Sequence, residues 1–129
     1  MNNMSAKILT YHHPITLECG TTLPNVDIAY STFGEMNADK SNVVWICHAF
    51  SANSDPTEWW PGMVGKGLFI DPDKYFIVCA NMLGSCYGTT GPLSENPETG
   101  SKYYKNFPVV TVRDMVQTLT ILRKHLGIE

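Results

Sequence analysis

Residues 43–54 read VVWICHAFSANS, an apolar run that stops at His48 and continues in small and polar residues. A histidine at the end of a buried strand can serve as a general base, ligate a metal or hold a loop in shape. The loop offers chemistry of its own. A connection that leaves a parallel strand lies at the carboxyl end of the sheet, where open α/β folds bind ligands. Small residues there let a substrate approach backbone N–H groups that can stabilise an oxyanion. Taken alone, HAFSANSDPTEWW is more simply a polar strand-to-helix loop that contains a histidine.

NMLGSCYGTTGP (81–92) is the second stretch of interest, with three glycines, a proline and several hydroxyl residues after another apolar run. It lacks the G-x-G-x-x-G spacing of a phosphate cradle, and no helix starts directly after it. GMVGKG (62–67) only echoes a P-loop, because its spacing is wrong and no Ser or Thr follows the lysine. Cys86 sits in the second loop with no base nearby in sequence to activate it. His12, His13 and His125 read as structural, as does Arg113, a surface or ion-pair residue. Trp59 and Trp60 read as core cover or as a pocket wall. The sequence contains no G-x-S-x-G elbow, no H-E-x-x-H and no credible carboxylate pair, so it assembles no complete catalytic constellation.

The elements that must position these loops follow from periodicity. NVVWICHA (42–49) and YFIVCANM (75–82) are continuously apolar and rich in β-branched and aromatic residues, as parallel strands covered on both faces are. About 25 residues separate them, enough for the crossover that parallel pairing needs. ITLECG (15–20) and VDIAYSTFGE (26–35) alternate in part and predict a half-buried antiparallel hairpin around GTTLPN. TVRDMVQTLTILRKHLGIE predicts a helix with Val112, Met115, Val116, Leu119, Leu122 and Leu126 on one stripe. Thr111 and Asp114 form its capping box, and Gly127 ends it. The expected class is α/β, an antiparallel hairpin leading into parallel strands with crossover helices. An open sheet with one strong helix leaves an edge uncovered, so 1–129 reads as the front of one larger domain, and poor solubility is expected of it alone.

A chain of 129 residues, 43% apolar and 16% charged, has a globular composition and room for one domain. A net charge of −3 with scattered Lys and Arg speaks against binding nucleic acid. No signal peptide and no membrane-spanning run is expected. Cys19, Cys47, Cys79 and Cys86 form no C-x-x-C pair and read as reduced thiols of a cytoplasmic protein, with no metal site.

LTYHHPITLECGTTLPNVDIAYSTFGEMN, VVWICHAFSANSDPTEWWPGMVGKGLFIDPDKYFIVCANMLGSCYGTTGP and TVRDMVQTLTILRKHLGIE together resemble the homoserine O-acetyltransferase family of the α/β-hydrolase superfamily. In that family an H-A-L loop follows the third strand, an N-x-L-G…G-S-T-G-P loop follows the fourth, and a helix with R-D-M comes next. The resemblance runs from about Leu9 to the end. It implies the N-terminal part of an α/β-hydrolase catalytic domain, truncated before the nucleophile elbow. It also implies a ping-pong transfer in which a serine takes an acetyl group from acetyl-CoA and passes it to L-homoserine, an early step of methionine synthesis.

Carried over to this sequence, the backbone N–H of Phe50 matches one oxyanion donor. Ser51, Ala52, Asn53 and Ser54 would line the acceptor side, and His48 would orient the loop. The family has leucine at Phe50, and Cys86 and Tyr87 also depart from its pattern, which bears on substrate choice. The resemblance implies no bound cofactor, acetyl-CoA being a substrate, and a homodimer for the complete protein. The triad Ser, Asp and His find no match among these 129 residues, so the chain alone is expected to be inactive. Succinyl-CoA as donor, serine as acceptor, hydrolysis by a plain esterase, and a non-catalytic α/β fragment remain as alternatives.

Overall fold

The computed structural model describes residues 6–129. In chain order it contains β1 (Lys7–Tyr11), β2 (Ile15–Thr16), β3 (Thr22–Leu23), β4 (Val26–Phe33), β5 (Val43–Ile46), α1 (Pro56–Trp59), β6 (Phe76–Ala80), β7 (Glu95–Asn96), β8 (Ser101–Lys102) and α2 (Val112–His125). Four strands form one sheet in the order β1-β4-β6-β5. The chain divides into two compact units that interleave in sequence, one containing Tyr30–Ala80 and the other Ile8–Ala29 with Asn81–Glu129.

The first unit holds the expected parallel pair. β5 runs parallel to β6 in the register Val43↔Phe76 to Ile46↔Cys79. On its other side β6 pairs antiparallel with the end of β4, from Tyr30↔Ala80 to Phe33↔Ile77. Strands that are apolar on both faces bury both, and Ile77, Val78 and Cys79 have no exposed surface. Ile46, Val64, Ile77 and Cys79 form the core cluster, with Phe33, Val44, Trp59, Met63 and Ile70 packed around it. The crossover between β5 and β6 contains the short helix α1, started by Asp55, whose carboxylate accepts from Thr57 N–H at 3.0 Å, with Pro56 next. Further on, the buried Asp71 accepts from the N–H groups of Gly67 (3.0 Å) and Asp73 (2.9 Å) and ties down the return to β6.

The first hairpin differs from the sequence expectation. The antiparallel pair is β2 with β3, joining Ile15 to Leu23 and Thr16 to Thr22, not 15–20 with 26–35. Leu17–Gly20 forms a turn, closed by Gly20 N–H to Leu17 O at 2.9 Å. β4 lies between β1 and β6, so most of it is buried where half-burial was expected: Val26 and Ile28 have no exposed surface, and Ala29, Tyr30 and Ser31 are also buried. Alternation gave the strand but not its neighbours, β1 from before the β2–β3 hairpin and β6 from some fifty residues later.

In the second unit α2 has the predicted ends. The Thr111 side chain accepts from Asp114 N–H while the Asp114 carboxylate accepts from Thr111 N–H, so Asp replaces the usual Glu in a complete capping box. At the other end Gly127 (φ +70°) adopts the left-handed conformation, with Gly127 N–H on Lys124 O and Ile128 N–H on Arg123 O. The buried stripe only partly matches the expected one: Leu122 is buried and Met115, Leu119 and Leu126 are half-buried. It runs through Asp114, Thr118 and Leu122, whereas Val112 and Val116 are 73% and 52% exposed. Asp114 turns inward because it also accepts from the N–H of Glu18 at 3.0 Å.

Candidate functional site

The first candidate loop leaves β5 at Cys47 and reaches α1 at Pro56. Its upper end is a turn across Ala49–Ala52, closed by Ala52 N–H to Ala49 O at 2.9 Å. The same carbonyl receives His48 Nδ1 at 2.8 Å. A carbonyl oxygen only accepts, so Nδ1 carries the proton in this contact. A trans peptide is planar and points its N–H away from its C=O. With the Ala49 carbonyl held by two donors, the N–H of Phe50 on the same peptide points the opposite way, and it meets no acceptor among the described residues. The central N–H groups of many turns are free in this way, so the arrangement alone is an available donor and nothing more. The Phe50 side chain is fully exposed.

The lower end of the loop is fastened to the sheet. Trp59 Nε1–H donates to the carbonyl of Asn53 at 2.8 Å, and the Cys79 thiol reaches the same oxygen at 3.8 Å. Both polar atoms of the Asn53 side chain are engaged: Oδ1 accepts from Asp55 N–H (2.8 Å) and Nδ2 donates to Glu58 (3.0 Å). Burial pushes the Cys79 thiol up to about 12, with Cys47 and Asp55 adding to the effect, so it stays protonated. Trp59 and Trp60 stack with ring centres 5.7 Å apart.

Among the residues expected to line an acceptor pocket, Ser51 is exposed, Ala52 and Asn53 are half-buried, and Ser54 is buried at 3% exposure. Ser51 and Ala52 therefore offer accessible surface, while Asn53 and Ser54 belong to the loop's footing. The role of Trp59 was missed from sequence because its partner is a backbone carbonyl, which no residue type announces.

The second loop lies in the other unit, and its hydroxyls are occupied by the protein. Thr89 Oγ1 accepts from Ala29 N–H (3.0 Å) and donates to Asn81 O (2.8 Å), while Asp27 N–H donates to Thr90 Oγ1 (2.8 Å) and Thr90 N–H to Asp27 O (2.9 Å). Thr89 and Thr90 thus pair with β4 much as a strand would. Gly91 has to be glycine, since a Cβ there would lie 2.4 Å from Ser85 O. What remains at the tip is Cys86, Tyr87 and Gly88, all exposed.

Elsewhere in the second unit an open groove of about 740 Å³ runs between β1 and α2, lined by Leu9, Tyr11, Ile15, Val116 and Ile121 among others. No residue of either loop lines it. Arg113 pairs with Glu18 at 3.1 Å, an exposed contact of little energetic weight. Among the described residues no three His, Cys, Asp or Glu side chains gather as metal ligands would, and no helix is long and apolar enough to cross a membrane.

No family model matches the chain. It is 48% identical over 126 residues to a homoserine O-acetyltransferase of Cyclobacterium marinum, covering 98% of this chain and 36% of that protein. The crystal structure of homoserine O-acetyltransferase from Bacillus anthracis matches with a TM-score of 0.82 at 36% identity, over 97% of this chain and 38% of that one. Esterase E22 matches with a TM-score of 0.79 at 32% identity, over 95% and 38%. The chain thus spans about a third of the length of the relatives it matches. The fold it shares with these structures is the α/β-hydrolase fold.

Proposed function

We propose that this chain, a homologue of the homoserine O-acetyltransferases, supplies the oxyanion-loop portion of an acyltransferase that moves an acetyl group from acetyl-CoA to the hydroxyl of L-homoserine. The observation that supports the reading most directly is the Ala49–Phe50 peptide, whose carbonyl is held by His48 and Ala52 while its N–H is unengaged. An acyl transfer passes through a tetrahedral intermediate whose oxygen carries negative charge, and a pre-aimed backbone donor lowers that barrier without reorganising. In this reading Phe50 N–H donates to the oxyanion, His48 orients it, and Ser51 and Ala52 border the acceptor, with Asn53 and Ser54 supporting them. A serine nucleophile, activated by a histidine and an acid, would form the acetyl-enzyme and release coenzyme A before homoserine attacks. No residue of this chain is assigned to that triad.

Acetyl-CoA is a substrate here, so the reading asks for no bound cofactor, and it places the activity in the cytoplasm within a homodimer. Succinyl-CoA or serine as the alternative substrate would use the same loop. The likeness to an esterase of nearly equal TM-score supports a second reading, hydrolysis with water as acceptor.

A chimera decides between them, with this chain replacing the aligned segment of the Cyclobacterium marinum protein. Acetylated homoserine formed from acetyl-CoA is the expected product. Coenzyme A release without acylated amino acid would favour the hydrolase, and no turnover by a folded chimera would refute both. The 129-residue chain alone is expected to release no coenzyme A above a protein-free control.

A further inference from the structure

We infer that Trp59 is a positioning residue for the oxyanion loop, its indole N–H holding the Asn53 carbonyl as His48 holds that of Ala49. The inference rests on the reading of Phe50 N–H as an oxyanion donor. Two carbonyls four residues apart are each held by a side chain, Ala49 by His48 (2.8 Å) and Asn53 by Trp59 (2.8 Å). Between them lie only Phe50, Ser51 and Ala52. A turn this short, fastened at both ends, leaves its peptides little freedom to rotate. The two anchors differ in rigidity. His48 sits on the loop that it restrains, whereas the Trp59 ring packs against the cluster of Ile46, Val64, Ile77 and Cys79 on the sheet. Trp59 therefore transfers the rigidity of the core to the loop, and its distance from Phe50 in sequence hides that role. A ring serving only to cover the core would need no donor aimed at Asn53 O, and its neighbour Trp60, which stacks on it, makes no such contact among the described residues.

The test uses amide exchange in the ¹⁵N-labelled chimera. Trp59→Phe keeps a ring in the core and removes the N–H. Exchange at Ala52, whose N–H closes the turn, should quicken by about five- to tenfold, the loss of one hydrogen bond's worth of restraint. The Phe50 cross-peak should move, while Ile77 and Val78 in β6 keep their rates. Trp60→Phe should leave all four unchanged. Should Trp59→Phe not fold, β-(3-benzothienyl)alanine at position 59 keeps the shape of the indole and replaces its N–H with sulfur. Unchanged exchange at Ala52, or acceleration equal at Ala52 and in β6, would overturn the inference. In the chimera, Trp59→Phe should lower kcat with the KM for L-homoserine unchanged. A chimera with wild-type Trp59 that makes no acetyl transfer refutes the acyltransferase reading, whereas the amide rates decide the link between Trp59 and the loop.

Discussion

His48 Nδ1 lies 2.8 Å from the carbonyl oxygen of Ala49, the residue that follows it in the chain. The contact turns the neighbouring peptide so that its N–H faces away from the imidazole, and it assigns the ring's Nδ1 to structure. His48→Asn in the chimera should then lower kcat by about tenfold, less than the 10²–10³ that follows loss of an oxyanion donor itself. Steady-state kinetics beside an amide spectrum of the loop is the measurement. Complete loss of turnover with that spectrum unchanged would mean that the imidazole takes part in the chemistry.

Cys79 should resist thiol reagents in the folded chain. Its thiol is pushed up to about 12 by burial, and the thiolate is the reactive form. Alkylation at pH 8 followed by mass spectrometry should label Cys19, Cys47 and Cys86, all exposed, and spare Cys79. Urea should expose all four. Labelling of Cys79 in the native chain as fast as Cys86 would contradict the burial described.

Asp114 should make the stability of the second unit sensitive to acid. Burial pushes its carboxyl upward, but hydrogen bonds from Thr111 N–H, Glu18 N–H and the Thr111 hydroxyl outweigh this and hold it below its ordinary 3.8. A depressed carboxyl contributes stability that is present above its unfolded value and is lost as the pH falls through the lower folded value. Asp114→Ala, which removes half of the capping box, should cost about 1–2 kcal/mol near neutral pH. Urea midpoints of the two proteins at pH 7 and near pH 2 should show the gap narrowing in acid. A gap independent of pH would rule out the carboxylate as its source.

Thr89 offers a cleaner test of the second loop. Its hydroxyl accepts from Ala29 N–H and donates to Asn81 O in a site 2% exposed. Thr89→Val keeps the shape and leaves both partners unsatisfied, which should cost about 1–3 kcal/mol in denaturant unfolding. Thr89→Ser, which keeps the hydroxyl, should lose far less. Equal losses would assign the effect to the missing methyl group instead.

What was legible in the sequence was local. The apolar runs at 42–49 and 75–82 gave the parallel pair, and Thr111, Asp114 and Gly127 gave the ends of α2, because each signal and its physical cause lie within a few residues. What was not legible depended on distant partners. The hairpin was misplaced because β4 pairs with a strand some fifty residues later, in the register Tyr30↔Ala80. The inward face of α2 was read only in part, right at Leu122 and wrong at Val112 and Val116, because Asp114 turns toward Glu18, whose backbone no periodicity can reveal. At the candidate site, His48 stood out by its place at the end of an apolar run, whereas Phe50 was reached only through the resemblance of a whole loop. Ser54, expected beside the acceptor, is buried, a placement that its residue type does not reveal, since small polar residues look alike whether they face a substrate or the interior.

The bond between Asp114 and Glu18 joins residues 96 positions apart. On a ribosome, the turn at Leu17–Gly20 emerges long before the carboxylate that will hold it. Loop closure over such a span is entropically slow, and contacts of this kind raise contact order and lengthen folding times. α2 therefore acts as a late clasp of its unit: the bond that ties Asp114 to Glu18 closes only once the whole span between them has been made.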